Sequence, residues 1–256
     1  MNFIISAVTD VGTVKQTNQD SLTVKTLQTC QGRMVFAVLC DGMGGLQKGE
    51  VASAGVVRAF EQWMYEQLPQ LCAAGPIDDA VLRAQWTRLI TAQNDAIRAY
   101  GARQGIRLGT TVVAFLLTQD RFYALNVGDS RLYELTGGIR CVTQDQTVVA
   151  REVALGFLTP EQARVDPRRN VLLQCVGASD TVAPDFFSGP ALADAVYLLC
   201  SDGFRHEISA EEIFGALQPA ALFDSASMEG RARALVDCVM QRGERDNISV
   251  ALVRTF

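Results

Sequence analysis

The order in which strand-like and helix-like segments follow one another is the feature that most restricts the fold of this sequence. Short segments rich in β-branched and apolar residues come first, two long segments with helical periodicity follow, and strand-like segments then return after residue 110. A parallel sheet requires strands and helices to alternate along the chain. The order therefore predicts an α+β protein in which antiparallel sheets carry helices on their outer faces.

The periodicities, and the turn residues that bound them, place the individual elements. The predicted strands are Phe3–Val8, Ser21–Thr26, Met34–Cys40, Thr111–Leu117, Arg121–Val127, Arg131–Leu135, Val171–Val176, Ala195–Cys200 and Ile248–Val253. The predicted helices are Glu50–Leu68, Ile77–Tyr100, Ser209–Leu217 and Glu229–Gln241. Residues 147–170 show a mixed pattern that includes a helix start at Thr159-Pro160-Glu161.

Composition and charge disfavour several classes of partner. The 256 residues include 23 Lys and Arg against 28 Asp and Glu, and the resulting net charge of −5 disfavours a nucleic-acid partner. No apolar run approaches the roughly 18–20 residues that a membrane span requires, and the first ten residues resemble a strand more than a signal peptide. We therefore expect neither nucleic acid nor a membrane as a partner.

Cysteine and histidine usage narrows the chemistry further. The seven cysteines form no CxxC pair, which favours a reduced cytoplasmic protein. The single histidine, His206, excludes metal sites built from several histidines, and we expect it at the surface or at a helix start rather than as a catalytic acid. Cys200 and Arg205 are one residue too close for the Cys-x5-Arg pattern of cysteine phosphatases, and Cys200 lies in an apolar strand.

Five aspartates lie beside predicted strands or tight turns: Asp20, Asp41, Asp129, Asp202 and Asp246. For any one of them a turn-capping role is the more common explanation, because Asp and Gly are the usual turn residues. If several converge, their like charges require neutralisation, and ligation by oxygen alone suits Mg²⁺ or Mn²⁺. Four converging carboxylates are balanced by two divalent ions, and such paired ions favour the hydrolysis of phosphate esters.

Six short motifs occur in a fixed order along the chain. They are Lys15-x-x-Asn18-Gln19-Asp20, Asp41-Gly42-Met43-Gly44-Gly45, Gly109-Thr110-Thr111, Gly128-Asp129-Ser130-Arg131, Ser201-Asp202-Gly203 and Asp246-Asn247. In this order they resemble the metal-dependent, type 2C serine/threonine protein phosphatases, and the similarity is greatest to the short bacterial members. The resemblance covers essentially the whole chain, so that residues 1–256 are predicted to form a single phosphatase domain.

The resemblance implies a central sandwich of two antiparallel β-sheets flanked by helix pairs, in α-β-β-α layers, which agrees with the order of elements. It also implies that Asp41 bridges two Mn²⁺ or Mg²⁺ ions and that Gly42 offers its main-chain carbonyl to one of them. A water between the ions would attack phosphorus directly, without a phospho-enzyme. Catalysis is assigned in this way to Asp41, Asp202 and Lys15.

The other ligands are also implied by the resemblance. Asp202 and Asp246 would complete the ligation of the second ion, and Asp20 would hold metal-bound water. Asp129 would belong to a third, weaker metal site found in bacterial relatives.

Three positions depart from the pattern of many family members. Lys15 stands where many members carry an Arg that clamps the substrate phosphate, and lysine binds phosphate without the bidentate fork. Gln19 replaces a frequent Glu, and Met43 replaces the His that animal members use as a proposed general acid. These departures leave open a weakly catalytic relative that binds phosphoproteins as a regulator. An enzyme for a small phosphate ester is a third alternative.

The expected partners are phosphoserine and phosphothreonine proteins and an opposing bacterial Ser/Thr kinase, with the protein acting as a cytoplasmic monomer. Residues 147–176 resemble the variable flap beside the active site of the family, and we call them the flap segment. They contain four arginines, at Arg151, Arg164, Arg168 and Arg169. Either these arginines form a solvated charged loop or they hold acidic substrates, and the sequence leaves both interpretations open.

Overall fold

The computed structural model of the protein describes residues 1–43 and 48–256. Gly44 and Gly45, the last two glycines of the motif that begins at Asp41, lie outside the described residues. No helix in the described ranges is both long and apolar enough to cross a membrane.

Within the described residues, ten strands form two five-stranded sheets in which all neighbours are antiparallel. The first sheet has the order β1-β10-β9-β6-β7, with β1 at Phe3–Asp10, β6 at Arg131–Leu135, β7 at Ile139–Cys141, β9 at Val196–Cys200 and β10 at Ile248–Thr255. The second sheet has the order β2-β3-β4-β5-β8, with β2 at Ser21–Thr29, β3 at Gly32–Cys40, β4 at Val112–Leu117, β5 at Arg121–Val127 and β8 at Asp185–Pro190. β1 pairs with β10 from Phe3 opposite Thr255 to Asp10 opposite Ile248.

The helices form two groups along the sequence. The first group comprises α1 at Gly49–Glu66, α2 at Leu68–Ala74 and α3 at Asp79–Gln104. Two short helices follow in the flap segment, α4 at Val148–Ala154 and α5 at Pro160–Val165. The second group comprises α6 at Asp202–Arg205, α7 at Ala210–Leu217 and α8 at Ser225–Gln241, with a 3₁₀ turn at Pro219–Ala221.

Three apolar layers hold these elements together, and strand β3 shows how they arise. Successive side chains of a strand point to opposite faces. Phe36 and Val38 accordingly pack among α1–α3, whereas Ala37 and Leu39 pack between the two sheets. The first sheet has a similar outer layer against α7 and α8. The predicted α+β sandwich with α-β-β-α layers is therefore confirmed.

One predicted strand is absent from the structure, and two strands, β7 and β8, were missed. Residues 171–176 form isolated bridges, such as Thr110 with Val176, and no strand. The apolar composition of these residues predicted a buried strand, but several of their side chains are partly exposed beside a cleft. Strand β8 was missed because its sequence, Asp185–Pro190, contains Gly and Pro and lies at the sheet edge, where such residues are tolerated.

The helix predicted at Glu50–Leu68 is α1, which ends two residues earlier, and α2, which follows it, was not predicted. α1 ends at Glu66, and α2 starts at Leu68 with a proline in its first turn. Proline donates no main-chain hydrogen bond and clashes with the preceding turn of a continuous helix. Pro69 therefore accounts for the break.

Candidate metal centre

Two of the five aspartates are positioned by the second sheet. Ser21 at the start of β2 pairs with Cys40 at the end of β3. Their chain neighbours Asp20 and Asp41 therefore leave the sheet at the same end. The main chain of Asp41 is fixed there by Thr111, whose amide donates to the Asp41 carbonyl over 2.8 Å and whose Oγ1 accepts from the Asp41 amide over 3.1 Å.

The other three aspartates are positioned by the first sheet. Cys200 at the end of β9 pairs with Val250 of β10 on one side and with Arg131 of β6 on the other. The chain segments that enter or leave these strands at that edge carry the remaining predicted ligands, Asp129, Asp202 and Asp246. The sandwich thus brings all five residues to one end.

Asn247 joins the loops of this edge to each other. Its Oδ1 accepts a hydrogen bond from the amide of Gln19 over 2.9 Å, and its Nδ2 donates to the carbonyl oxygens of Val11 at 2.9 Å and Thr17 at 3.2 Å. One side chain at the start of β10 therefore fixes the approach to Asp20. The sequence motif Asp246-Asn247 includes this residue but does not reveal its role as a link.

Gly42 is required by close packing of main chains. Its amide donates to the carbonyl of Gln19 over 3.2 Å. A Cβ atom at this position would lie 2.4 Å from that same oxygen and 2.6 Å from the carbonyl oxygen of Gly49. Any side chain at position 42 would consequently push Asp41 away from Asp20.

A cleft of about 520 Å³ opens at this end of the molecule. Four of the predicted ligands line it: Asp41, Asp129, Asp202 and Asp246. The flap segment contributes Asn170 and residues 172–175, and Met43 also lines the cleft. Arg107 is the only basic side chain among the described residues of the lining, and the sequence analysis did not identify it.

The electrostatics of the cleft disfavour so many negative charges. Burial raises the pKa of Asp20 to about 7, and the charges of Asp202 and Asp246 add to that rise. Burial, followed by the charge of Asp20, raises the pKa of Asp41 well above its ordinary value. Burial and the charge of Asp202 raise the pKa of Asp129 to about 7. These carboxylates therefore need positive charge to stay ionised at neutral pH.

The donor atoms fit a hard divalent cation. Both carboxylate oxygens of Asp20 and Oδ1 of Asp202 are buried and have no hydrogen-bond partner in the described part of the chain. Buried polar atoms are normally paired, and carboxylate oxygens are the ligands that Mg²⁺ and Mn²⁺ prefer. Within residues 1–43 and 48–256, however, no group of three or more His, Cys, Asp or Glu side chains is already arranged to hold a metal ion.

Lys15 lies beside the acidic residues, where its Nζ is 2.9 Å from Oδ1 of Asp246. The ammonium group thus offsets one carboxylate of the site. Gln19 instead points towards α1, and its Nε2 donates to Oε2 of Glu50 over 3.2 Å. A glutamate at position 19 would meet Glu50 as a like charge, so that the amide suits this local environment.

Asp129 is contacted by Arg205, the last residue of α6. Nη2 of Arg205 lies 3.0 Å from the Asp129 carbonyl oxygen and 3.3 Å from its Oδ2. In the sequence, Arg205 stands out only as part of a cysteine-phosphatase pattern. That pattern finds no support, because complete burial of Cys200 raises the pKa of its thiol to about 12 and so suppresses the thiolate.

The expectation that His206 lies at the surface was wrong. Its side chain is only 16% exposed, with Nε2 3.5 Å from Oδ2 of Asp202 and Nδ1 3.3 Å from Oε2 of Glu244. Oε1 of Glu244 accepts the amides of Arg245 and Asp246. His206 therefore links two of the predicted ligands. The four-residue spacing from Asp202 to His206, one helical turn, was the signal that could have indicated this contact.

Within the flap segment, Arg168 is used internally. Its Nη2 lies 2.8 Å from Oε2 of Glu152 and 2.8 Å from Oδ2 of Asp166. These ion pairs join α4 to the turn that follows α5. Such contacts favour a structural role for Arg168 over the binding of acidic substrates.

The chain is similar to known protein phosphatases. A family model described as "Protein phosphatase 2C" matches residues 12–241. The serine/threonine protein phosphatase PstP of Mycobacterium tuberculosis is 33% identical over 250 residues, which are 96% of this chain but 44% of PstP. The chain thus spans less than half of that relative. The serine/threonine phosphatase stp of Listeria monocytogenes is 30% identical, over 96% of this chain and 93% of stp.

A solved structure with bound metal is also similar. It is the catalytic domain of the serine/threonine protein phosphatase PstP in complex with two manganese ions. The TM-score is 0.78 at 28% sequence identity, and the alignment covers 98% of this chain and 97% of that one.

Proposed function

The chain belongs to the protein phosphatase 2C family, and we propose that it hydrolyses phosphoserine and phosphothreonine on proteins with the help of two divalent ions, Mn²⁺ or Mg²⁺. The observation that carries this proposal is the convergence of Asp41, Asp202 and Asp246 on one cleft, next to the buried, unpartnered oxygens of Asp20. Such a cluster is stable at neutral pH only with added positive charge.

Asp41, Asp202, Asp246 and the carbonyl of Gly42 would hold the ions, with Asp20 behind them. When bound, the ions would supply the positive charge that activates water and stabilises a phosphoryl group under attack. Lys15 is paired with Oδ1 of Asp246. Its ammonium would turn from that carboxylate to the substrate phosphate.

The residues of the cleft then define the remaining steps. Arg107 and Lys15 would bind the phosphate, and water would attack phosphorus directly, without a phospho-enzyme. Thr111 would hold Asp41 in place through two hydrogen bonds to the Asp41 main chain, one from the Thr111 amide and one to the Thr111 hydroxyl. The thioether of Met43 cannot donate a proton, so the departing serine or threonine oxygen would take its proton from water.

We further propose that this activity opposes a Ser/Thr kinase, that the protein acts as a monomer, and that it works in a reducing compartment such as the cytoplasm. All seven cysteines are free, although five are buried or half-buried and two are exposed. Free thiols of this number favour a compartment in which disulfides do not persist.

The decisive experiment measures phosphate release from a phosphothreonine peptide with Mn²⁺ and with chelator. Asp202→Asn should remove the Mn²⁺-dependent turnover, whereas the matched variant Asp95→Asn, at an exposed position of α3, should retain it. Failure of the folded, Mn²⁺-loaded wild type to release phosphate would contradict the proposal. Tight binding of the phosphopeptide by such an inactive protein would instead favour the phosphoprotein-binding regulator.

A further inference from the structure

Arg205 is enclosed beside the cleft and faces two carboxylates at once. Its side chain is 12% exposed. Nη2 lies 3.3 Å from Oδ2 of Asp129 and 3.4 Å from Oδ2 of Asp145, and it also donates to the carbonyl oxygen of Asp129 over 3.0 Å. Arg205 is thus bound to both the main chain and the side chain of Asp129.

Asp145 is held from its other side by Arg131. Nε of Arg131 donates to Oδ1 over 2.7 Å and Nη2 donates to Oδ2 over 2.8 Å, which is the bidentate geometry of a strong ion pair. The four side chains Arg131, Asp145, Arg205 and Asp129 therefore alternate in sign, and we call them the paired network. When Asp129 is ionised, two positive and two negative charges make the network neutral without any ion.

Asp129 differs in this respect from Asp20 and Asp202. Those two residues keep buried oxygens to which no described group donates a hydrogen bond, whereas Asp129 has a permanent cation at hydrogen-bond distance. A guanidinium cannot lose its proton in a protein. Any further cation placed on Asp129 would face this fixed like charge at close range, and the repulsion between like charges grows as their distance falls.

We infer that Arg205 supplies the positive charge at Asp129 in place of a third divalent ion, so that this chain binds two divalent ions and Asp129 is no metal ligand. The inference rests on the proposed two-ion site. It removes Asp129 from the ligand set that the family resemblance implies. The role of Asp129 becomes that of a positioning residue, which fixes the turn between β5 and β6 against α6.

The test is a count of Mn²⁺ ions bound by the full chain, measured by equilibrium dialysis with the free ion followed by electron paramagnetic resonance. We expect the wild type to bind two ions up to millimolar Mn²⁺, and Asp129→Asn to bind the same number with unchanged affinity. Three ions in the wild type, falling to two in Asp129→Asn, would overturn the inference. Absence of any bound ion would instead count against the proposed function.

Two variants of Arg205 test whether its positive charge is what excludes a third ion. Arg205→Gln removes the charge and should allow a third ion to bind, whereas Arg205→Lys keeps the charge and should leave the count at two. A folded Arg205→Gln protein that still binds two ions would show that Arg205 is not what excludes the third. If this variant fails to fold, the comparison of wild type with Asp129→Asn still decides the question.

Discussion

Two groups of enclosed carboxylates at this end of the molecule are treated in opposite ways. In the acidic group of Asp20, Asp41 and Asp202, buried oxygens of Asp20 and Asp202 lack hydrogen-bond partners among the described residues. In the paired network, Arg131 and Arg205 balance Asp145 and Asp129. The first arrangement is a proposed ligand set that loses free energy when no ion is bound. The second carries its positive charges within the chain, although Nε of Arg205 has no hydrogen-bond partner among the described residues.

An aspartate at the end of a strand therefore does not by itself identify a metal ligand. Asp129 and Asp202 occupy comparable places in the sequence, each beside a buried strand and next to a glycine. Their roles differ because of the side chains that contact them: Arg205 contacts Asp129, and His206 contacts Asp202. Substitutions in the acidic group and in the paired network test this difference.

The largest effect is expected for Asp41→Asn. Loss of the charge between the proposed ion sites should lower phosphate release by about 10³-fold or more, at or above the effect of deleting one electrostatic contact to a transition state. In chelator, the same variant should melt at a higher temperature than the wild type, because it removes a charge that burial disfavours. Phosphate release and thermal melting measure the two effects, and an Asn variant with wild-type turnover would refute the proposed centre.

Asp145→Asn should have the opposite effect on stability. It removes the carboxylate that Arg131 and Arg205 share, although Arg205 keeps its contact with Asp129. Breaking a fully buried pair costs about 3–5 kcal/mol of the free energy of unfolding, and this partly exposed pair should lose less than that. Mn²⁺ should not restore the loss. Urea denaturation with and without Mn²⁺ measures it, with Asp20→Asn as the matched variant from the acidic group. A stability unchanged in Asp145→Asn would show that the paired network contributes little.

The pH dependence of stability in the metal-free protein should also distinguish the acidic group from the paired network. Asp20 has a pKa raised to about 7 by burial, so its unfolded form ionises first and stability falls as pH rises from about 4 to about 7. Burial raises the pKa of Asp145, but its hydrogen bonds to Arg131 and the charges of Arg205, Arg131 and His206 together outweigh burial and keep that pKa below the ordinary value. The stabilisation from Asp145 is therefore present above the unfolded pKa near 4 and is lost as pH falls through the lower folded pKa.

Melting temperatures in chelator between pH 5 and 8 should accordingly decrease with rising pH in the wild type and decrease less in Asp20→Asn. Added Mn²⁺ should raise the melting temperature most at the upper end of this range, where the acidic group is ionised. A metal-free protein that becomes more stable from pH 5 to pH 8 would contradict the raised pKa of the acidic group.

The smallest effect is expected for the substrate-facing cation Arg107. Its side chain is exposed at the cleft, so Arg107→Ala should raise KM for a phosphopeptide by roughly two- to fivefold, which corresponds to an exposed ion pair of about 0.4–1 kcal/mol. Mn²⁺ affinity should not change. Arg103→Ala, an exposed position at the end of α3, is the control, and equal KM values in all three proteins would remove Arg107 from the site.

The order of strands and helices predicted antiparallel sheets with helices on their outer faces, and the family resemblance added the layers of the sandwich. Local patterns placed each acidic residue beside a strand: the run of apolar residues identified β3, and Asp41-Gly42 identified its end. The contacts of Arg205 with Asp129 and of His206 with Glu244 could not be predicted in the same way. Arg205 meets Asp129 across 76 residues of sequence, and His206 meets Glu244 only because α6 and the start of β10 lie together. No local periodicity reports on such pairs.

The pairing of β1 with β10 has a consequence for synthesis on the ribosome. Strands β2–β5 and β8, together with α1–α3, lie within residues 21–190, so that the second sheet can assemble while the rest of the chain is still being made. The first sheet requires β10, because that strand separates β1 from β9, and non-local pairing of this kind forms slowly. Asp246 and Asn247 emerge immediately before β10. A nascent chain therefore has no complete site until β10 has left the exit tunnel, which would delay the proposed activity until translation has passed this strand.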